Sequence, residues 1–139
     1  MSQSEQSQPA PSHPTPEAVV RRYLDVLYNE RRLDLVGELI SDPTWRHHAG
    51  EVKVLTLDES LARLQATLDL CPVLQFETSM LTANDEFVTV CWNGDSTQTN
   101  GKSYVYCGIE VFRVREGRIS EIWNSRETGG HWLAPVLGS

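Results

Sequence analysis

The sequence predicts an α+β fold: three N-terminal helices packed in the concave face of a strongly curved, mostly antiparallel sheet. Three observations carry this. Apolar residues at helical spacing are confined to the first half of the chain. From Val73 the period changes to that of strands. Turn signals at Ala83-Asn84-Asp85, Asn100-Gly101 and Glu116-Gly117 then join the strands into a meander. Helices grouped ahead of a run of hairpins point to α+β. A curved meander wrapped around them leaves a cone-shaped pocket.

Residues 1–15 are rich in Ser, Gln and Pro and have little to bury, so they are expected to be disordered. Residues 16–139 are expected to form one domain. Thr15-Pro16-Glu17 is a helix start, with Thr15 as N-cap and an acid in the first turn. Val19, Val20, Tyr23, Leu24, Leu27 and Tyr28 follow as one apolar stripe. The patch Asn29-Glu30-Arg31-Arg32 breaks it. A shorter helix is predicted over Leu35, Val36, Leu39 and Ile40, with Pro43 beyond its end. Thr44 to Ala49 reads as a short strand. Thr56 and Glu59 form a capping box, and the helix they open has Leu57, Leu61, Leu64 and Leu68 on one face. It stops near Cys71-Pro72. Strands are predicted over 73–82, 86–99, and the two arms of 104–127.

The net charge of −7 favours solubility and argues against nucleic acid or an anionic membrane surface as partner. No apolar run approaches the ~20 residues that span a bilayer. The first residues have neither a cationic start nor an apolar core, so no signal peptide is expected there. Three cysteines, Cys71, Cys91 and Cys107, have no framework spacing and suit free thiols in a reducing cytoplasm. The histidines His13, His47, His48 and His131 do not cluster with cysteines, so no metal site is expected.

The last hairpin is the most informative stretch. Gly108-Ile109-Glu110-Val111-Phe112-Arg113, then Glu116-Gly117-Arg118-Ile119-Ser120-Glu121-Ile122-Trp123-Asn124, resembles the pattern G-I-D-I-F-R … D-G-K-I-V-E-x-W-D of the SnoaL-like polyketide cyclases. These lie within the nuclear-transport-factor-2-like superfamily, whose cystatin-like cone matches the fold expected above. Trp45-Arg46-His47-His48 falls where the family often has Y-x-Q-H-N-P, which aligns His48 with the motif histidine. The resemblance covers roughly residues 16 to 128. It implies a homodimer and cofactor-independent ring closure in a hydrophobic small-molecule intermediate of polyketide type. One departure matters. The acid that often follows the motif tryptophan is Asn124 here. In SnoaL-like cyclases that acid is the expected proton carrier. An amide does not transfer protons at neutral pH, but it polarises a carbonyl by hydrogen bonding.

The polar residues within these apolar strands are therefore candidates for a site. Trp45, Trp92, Tyr104, Tyr106 and Trp123 are candidate pocket walls, or ordinary core aromatics. His47 and His48 point to opposite faces of a strand, so one enters a pocket, and the family match selects His48. Imidazole suits proton transfer near neutral pH. Glu110 shares a face with Tyr104, Tyr106 and Phe112; it is either a buried acid or a surface partner of an arginine such as Arg126. Asn124 and Glu127 have opposite parity, and the family match selects Asn124, with Arg126 further along its face as an anion binder. On this reading His48, Glu110 and Asn124 are catalytic, while Trp45, Trp92, Tyr104, Tyr106, Trp123 and Arg126 bind substrate. The alternatives are an enzyme of the epoxide-hydrolase or dehydratase type, or a non-catalytic binding or scaffold domain.

Overall fold

Thr15 caps the first helix as its position demands, its hydroxyl accepting from the backbone N–H of Ala18 at 3.2 Å. The computed structural model describes residues 12–136. The expected disordered segment lies outside the described residues up to position 11, and His13 and Pro14 sit beside Gly117. Helix α1 (Pro16–Arg22) continues into a π-helical stretch over Tyr23–Tyr28. That wider turn brings residues five apart onto one face. The Tyr23 and Tyr28 rings meet edge to face at 5.1 Å, and the Tyr23 hydroxyl lies 3.4 Å from that of Tyr28.

The charged patch that breaks the stripe is a clip. The Asn29 side chain donates to the Phe76 carbonyl and accepts from its N–H, both at 2.8 Å, as a neighbouring strand would. Arg31 takes a positive φ of 57° and donates to the carbonyls of Cys71 and Leu68. Those carbonyls end helix α3 (Leu57–Leu70), so Arg31 satisfies groups that a helix terminus otherwise leaves open.

The second predicted helix is shorter than expected. A 3₁₀ turn at Leu33–Leu35 leads into α2 (Val36–Leu39), and Ile40 already begins strand β1 (Ile40–His48). Strand β2 (Glu51–Leu55) follows and pairs with β1 antiparallel, a hairpin absent from the sequence reading. Its five residues are mostly exposed, so no buried face imprinted a pattern on them. The α3 capping box forms, with Thr56 N–H to Glu59 Oε1 at 2.8 Å. The helix buries Ser60, Leu64 and Leu68, while Leu61 is exposed. Its inward face is thus rotated from the expected leucine stripe and carries Arg63 and Thr67 at its edge.

Strands β3 (Val73–Ala83), β4 (Phe87–Thr97), β5 (Ser103–Arg115) and β6 (Arg118–Thr128) form the meander. The sheet has six strands in the order β2-β1-β6-β5-β4-β3, and only the β1–β6 pairing is parallel. Val20, Tyr23, Leu27 and Leu64 from the helices pack against Val88, Val90, Phe112, Ile119 and Ile122 of the sheet. This core fills one end of the cone. The final segment crosses β4 and β5, where the Trp132 N–H donates to Asn93 Oδ1 at 2.7 Å and its indole to the Gly108 carbonyl at 3.0 Å.

Candidate active site

Beyond the packed end, the inner faces of β4, β5 and β6 carry polar groups in rows. Glu110 lies directly across from Asn124, and Gly108 from Arg126 on one side and Trp92 on the other. Together with α3, the π-turn and β1 they enclose a cavity of about 360 Å³. Its apolar side includes Leu24, Tyr28, Leu74, Phe76, Trp92 and Tyr106. Small-molecule sites of roughly 300–1,000 Å³ have this character: apolar walls and a few polar groups. A second recess of about 460 Å³ adjoins it and shares Arg46, Arg63, Asn124 and Arg126.

Glu110 is the acid of the cavity, and it is 6% exposed. The Trp92 indole N–H donates to its Oε1 at 3.0 Å, and Arg46 Nη2 lies 4.0 Å from Oε2. Burial pushes its pKa up from the ordinary carboxylate value, against the opposing pull of Arg46 and the Trp92 hydrogen bond. The burial effect wins because the arginine stands off at 4.0 Å and makes no close bidentate pair. A carboxyl poised in this way suits proton transfer. Tyr23, beneath it, is different. Burial and then the neighbouring Tyr28 push its phenol up, so it holds its proton at neutral pH.

Gly108 makes the Trp92–Glu110 contact geometrically possible. A Cβ there would fall within the Trp92 indole, 2.7 Å from Cε2 and closer still to Cζ2. Without a side chain, the strand lets the indole lie across it and reach the acid one pleat away. Nearer the opening, the Tyr104 and Tyr106 rings stack at 6.3 Å, and the Arg126 guanidinium lies 5.6 Å from the Tyr106 ring centre. Tyr106 is held by Ser96, their hydroxyls 2.5 Å apart. Asn124 Oδ1 is buried with no hydrogen-bond partner on the protein. Such an acceptor costs roughly 1–3 kcal/mol. No protein partner fixes that end of the amide.

The structure thus brings Glu110, Asn124, Arg126, Trp92, Tyr104 and Tyr106 to one cavity. It separates others. Trp45 and Trp123, expected as walls, are on the outer face, because odd-numbered residues of β1, and of β6 beyond the bulge at Ser120, point away from the helices. Trp45 is 47% exposed, and Trp123 stacks on His47 at 4.8 Å. His48 is exposed and borders the adjoining recess rather than the cavity itself. Glu127 is exposed and does not line the cavity. Sequence reasoning missed Tyr28, Arg46, Arg63 and Phe76. Arg46 was within reach, since it shares strand parity with His48. Arg63 needed the true rotation of α3.

No group of three or more potential metal ligands occurs among the described residues, and no helix is long and apolar enough to cross a membrane. No curated protein matches the chain in sequence. Among solved structures, the chain is similar to a SnoaL-like polyketide cyclase from Agrobacterium tumefaciens, with TM-score 0.71 and 18% identity over 82% of this chain and 92% of that one. It is also similar to IdmH from Streptomyces antibioticus, assigned as a polyketide cyclase, with TM-score 0.67 and 18% identity over 81% and 91%. A third is an NTF2-like protein of unknown function from Burkholderia pseudomallei, with TM-score 0.68 and 18% identity over 80% and 89%. At these identities the likeness establishes the fold, which the three share whatever their chemistry. The SnoaL-like domain model matches residues 20–122, more than half of the chain, from within α1 to within β6, and includes Glu110 but stops short of Asn124 and Arg126. The chain belongs to the SnoaL-like family, with the cone fold of the nuclear-transport-factor-2-like superfamily.

Proposed function

We propose that the protein is a cofactor-independent cyclase or isomerase that closes a ring in a hydrophobic polyketide-type intermediate. The observation that carries this is Glu110: a buried carboxyl of raised pKa, held by Trp92, in an apolar-walled cavity. The walls hold the substrate folded, so that orientation is settled on binding. Glu110 removes or returns the proton at carbon, and Asn124 and Arg46 stabilise the enolate oxygen that develops. His48, bordering the recess, exchanges that proton with solvent. A non-catalytic scaffold needs no such cavity, and the empty volume counts against that reading.

The test follows turnover of linear and partly cyclised poly-β-ketone acids by mass spectrometry in deuterated water. Wild-type protein closes the ring and incorporates deuterium at the reacting carbon, while Glu110→Gln loses activity at least about a hundredfold without loss of fold. Equal ring closure by both would remove the acid–base mechanism and leave shape templating. His48→Ala is expected to slow turnover by roughly tenfold, and an unchanged rate would remove it from the proton path.

A second reading has one specific support. Glu110, Asn124 and Arg126 occupy adjacent inner positions of β5 and β6, an acid–amide–arginine set of the kind that activates water on an epoxide. Oxygen-18 from labelled water in the product would favour this hydrolase; its absence from a cyclised product would exclude it. The homodimer and the cytoplasmic location implied by the resemblance remain part of the proposal. A monomer mass in sedimentation equilibrium would remove the first.

A further inference from the structure

Buried cations are normally paired, because an unpaired charge loses its hydration without recompense. Arg46 and Arg63, at least partly buried, depart from this rule, and the exposed Arg126 stands beside them. Arg46 of β1, Arg63 of α3 and Arg126 of β6 come from three separate elements and border both the cavity and its adjoining recess. Within the cavity one acid, Glu110, faces them, its nearest approach to a guanidinium the 4.0 Å contact with Arg46, and the adjoining recess adds one acid and one further cation, Glu51 and Lys53. No carboxylate lies within 4.0 Å of Arg63 or Arg126 among the described residues. The Arg46 side chain is 15% exposed, so solvent does little to screen it. The chain as a whole carries −7, yet the cavity holds three positive groups and one acid. An excess of positive charge in an otherwise acidic protein marks the place where an anion enters.

We propose that the substrate is a free carboxylic acid: an apolar chain or ring seated against Trp92, Phe76 and Tyr28, whose carboxylate is held by Arg63 and Arg126. Guanidinium forks match a carboxylate in shape as well as charge. Arg46, nearer Glu110, remains for the oxygen that becomes negative during reaction. In this proposal the anion is part of the substrate's own skeleton, held between Arg63 on the cavity wall and the exposed Arg126 at its mouth, and not on a carrier arm left outside. The reaction that supplies this substrate is then a hydrolysis that releases the chain from its ester or thioester as the acid. The inference rests on the cavity being the substrate site proposed above, and not on ring closure.

The test is calorimetric binding at neutral pH with matched probes. Three scaffolds serve: 2-naphthoic acid, 4-phenylbutanoic acid and decanoic acid, each compared with its primary amide and its coenzyme A thioester. A hydrogen-bonded charge contributes about 1.5–3 kcal/mol, so at least one acid is expected to bind roughly ten- to a hundredfold tighter than its amide. The preference falls at least about threefold in Arg126→Gln, whose side chain is at the mouth, and disappears in the Arg63→Gln/Arg126→Gln double variant. Arg63→Lys, which keeps the charge, retains most of it. If no acid is preferred over its amide, if the preference survives the double variant, or if the coenzyme A thioesters bind tighter than the acids, the inference is overturned. A protein that prefers the acids but closes no ring keeps this inference and loses the cyclase reading. Ring closure on neutral esters, with no preference for acids, does the reverse.

Discussion

Glu121 and Glu110 sit on neighbouring strands, one on each face of the same sheet. On the outer face Glu121 lies 2.6 Å from His47 and 3.7 Å from Arg113. Arg113 in turn lies 2.5 Å from Glu86, which Arg115 approaches at 3.7 Å. Every charge of that cluster has an opposite partner. On the inner face Glu110 stands 4.0 Å from Arg46, and no carboxylate lies within 4.0 Å of Arg63 or Arg126 among the described residues. The outer charges have water to screen them, so pairing is cheap and contributes little. Of the inner ones, Glu110 and Arg46 are largely desolvated, so leaving them without a close partner is costly, while Arg126 is exposed. A cost retained where it could have been relieved by a methionine or leucine points to a use. The face with satisfied charges is structural, and the face with unsatisfied ones is where chemistry is to be sought.

The largest predicted effect breaks the inner side of this comparison. Turnover in Glu110→Gln is expected to fall about a hundredfold or more, whereas Glu121→Gln stays within about twofold. The pH dependence sharpens it. As a base Glu110 must be ionised, so kcat/KM rises with pH, with a midpoint above the ordinary carboxylate range because burial raises its pKa. Arg46 pulls that pKa down, so Arg46→Gln moves the midpoint to higher pH. A midpoint unmoved in Arg46→Gln would mean that the two groups do not sense each other. Stability follows the same sign. A carboxyl with a raised folded-state pKa binds its proton more tightly when folded. The folded state is therefore favoured below the ordinary carboxylate pKa and loses stability as pH rises towards the raised value. Denaturant unfolding as a function of pH should show this decline in the wild type and a flatter profile in Glu110→Gln.

Next in size is Gly108→Ala. The added methyl would enter the Trp92 indole and push it off Glu110. Overpacking at such a site costs about 1–3 kcal/mol, readable as a lower denaturation midpoint. The indole fluorescence should change with it. Adding Trp92→Phe, which removes the donor, should make the two losses of activity less than additive. Full additivity would mean that the glycine acts elsewhere.

The comparison also explains what could be read from sequence. The meander was legible because each strand has a buried face and each turn has its own chemistry: Asn100-Gly101 and Glu116-Gly117 both place glycine at positive φ. Parity on β6 correctly separated Asn124 from Glu127. The same alternation, counted from Thr44 on β1 and from Asn124 on β6, would have placed Trp45 and Trp123 outside, whereas counted from Ile119 it fails because the bulge at Ser120 switches the parity. Both are aromatic and attract a wall assignment on composition alone. Strand β2 was hidden because its exposed residues carry no pattern. The rotation of α3 was hidden because Ser60 is buried while Leu61 is not, an inversion of the usual preference. Arg63 enters the cavity by that rotation. The clip made by Asn29 and Arg31 was visible only as an interruption, since its partners lie about forty residues away, at Phe76, Leu68 and Cys71.

The smallest effect breaks the outer side. Glu121→Gln removes the carboxylate that links His47 to Arg113. These side chains are partly exposed, so screening limits the loss to about 0.2–1 kcal/mol, and it should shrink further in high salt. Turnover should remain near that of the wild type, because the sheet itself separates Glu121 from the cavity. A stability loss well above that range, insensitive to salt, would show that the outer cluster is desolvated as well, for example by a second protein surface lying over it. A large loss of turnover without a loss of stability would be more serious. It would mean that charge on one face sets the chemistry on the other, and the division of the sheet into a structural face and a chemical face would no longer hold.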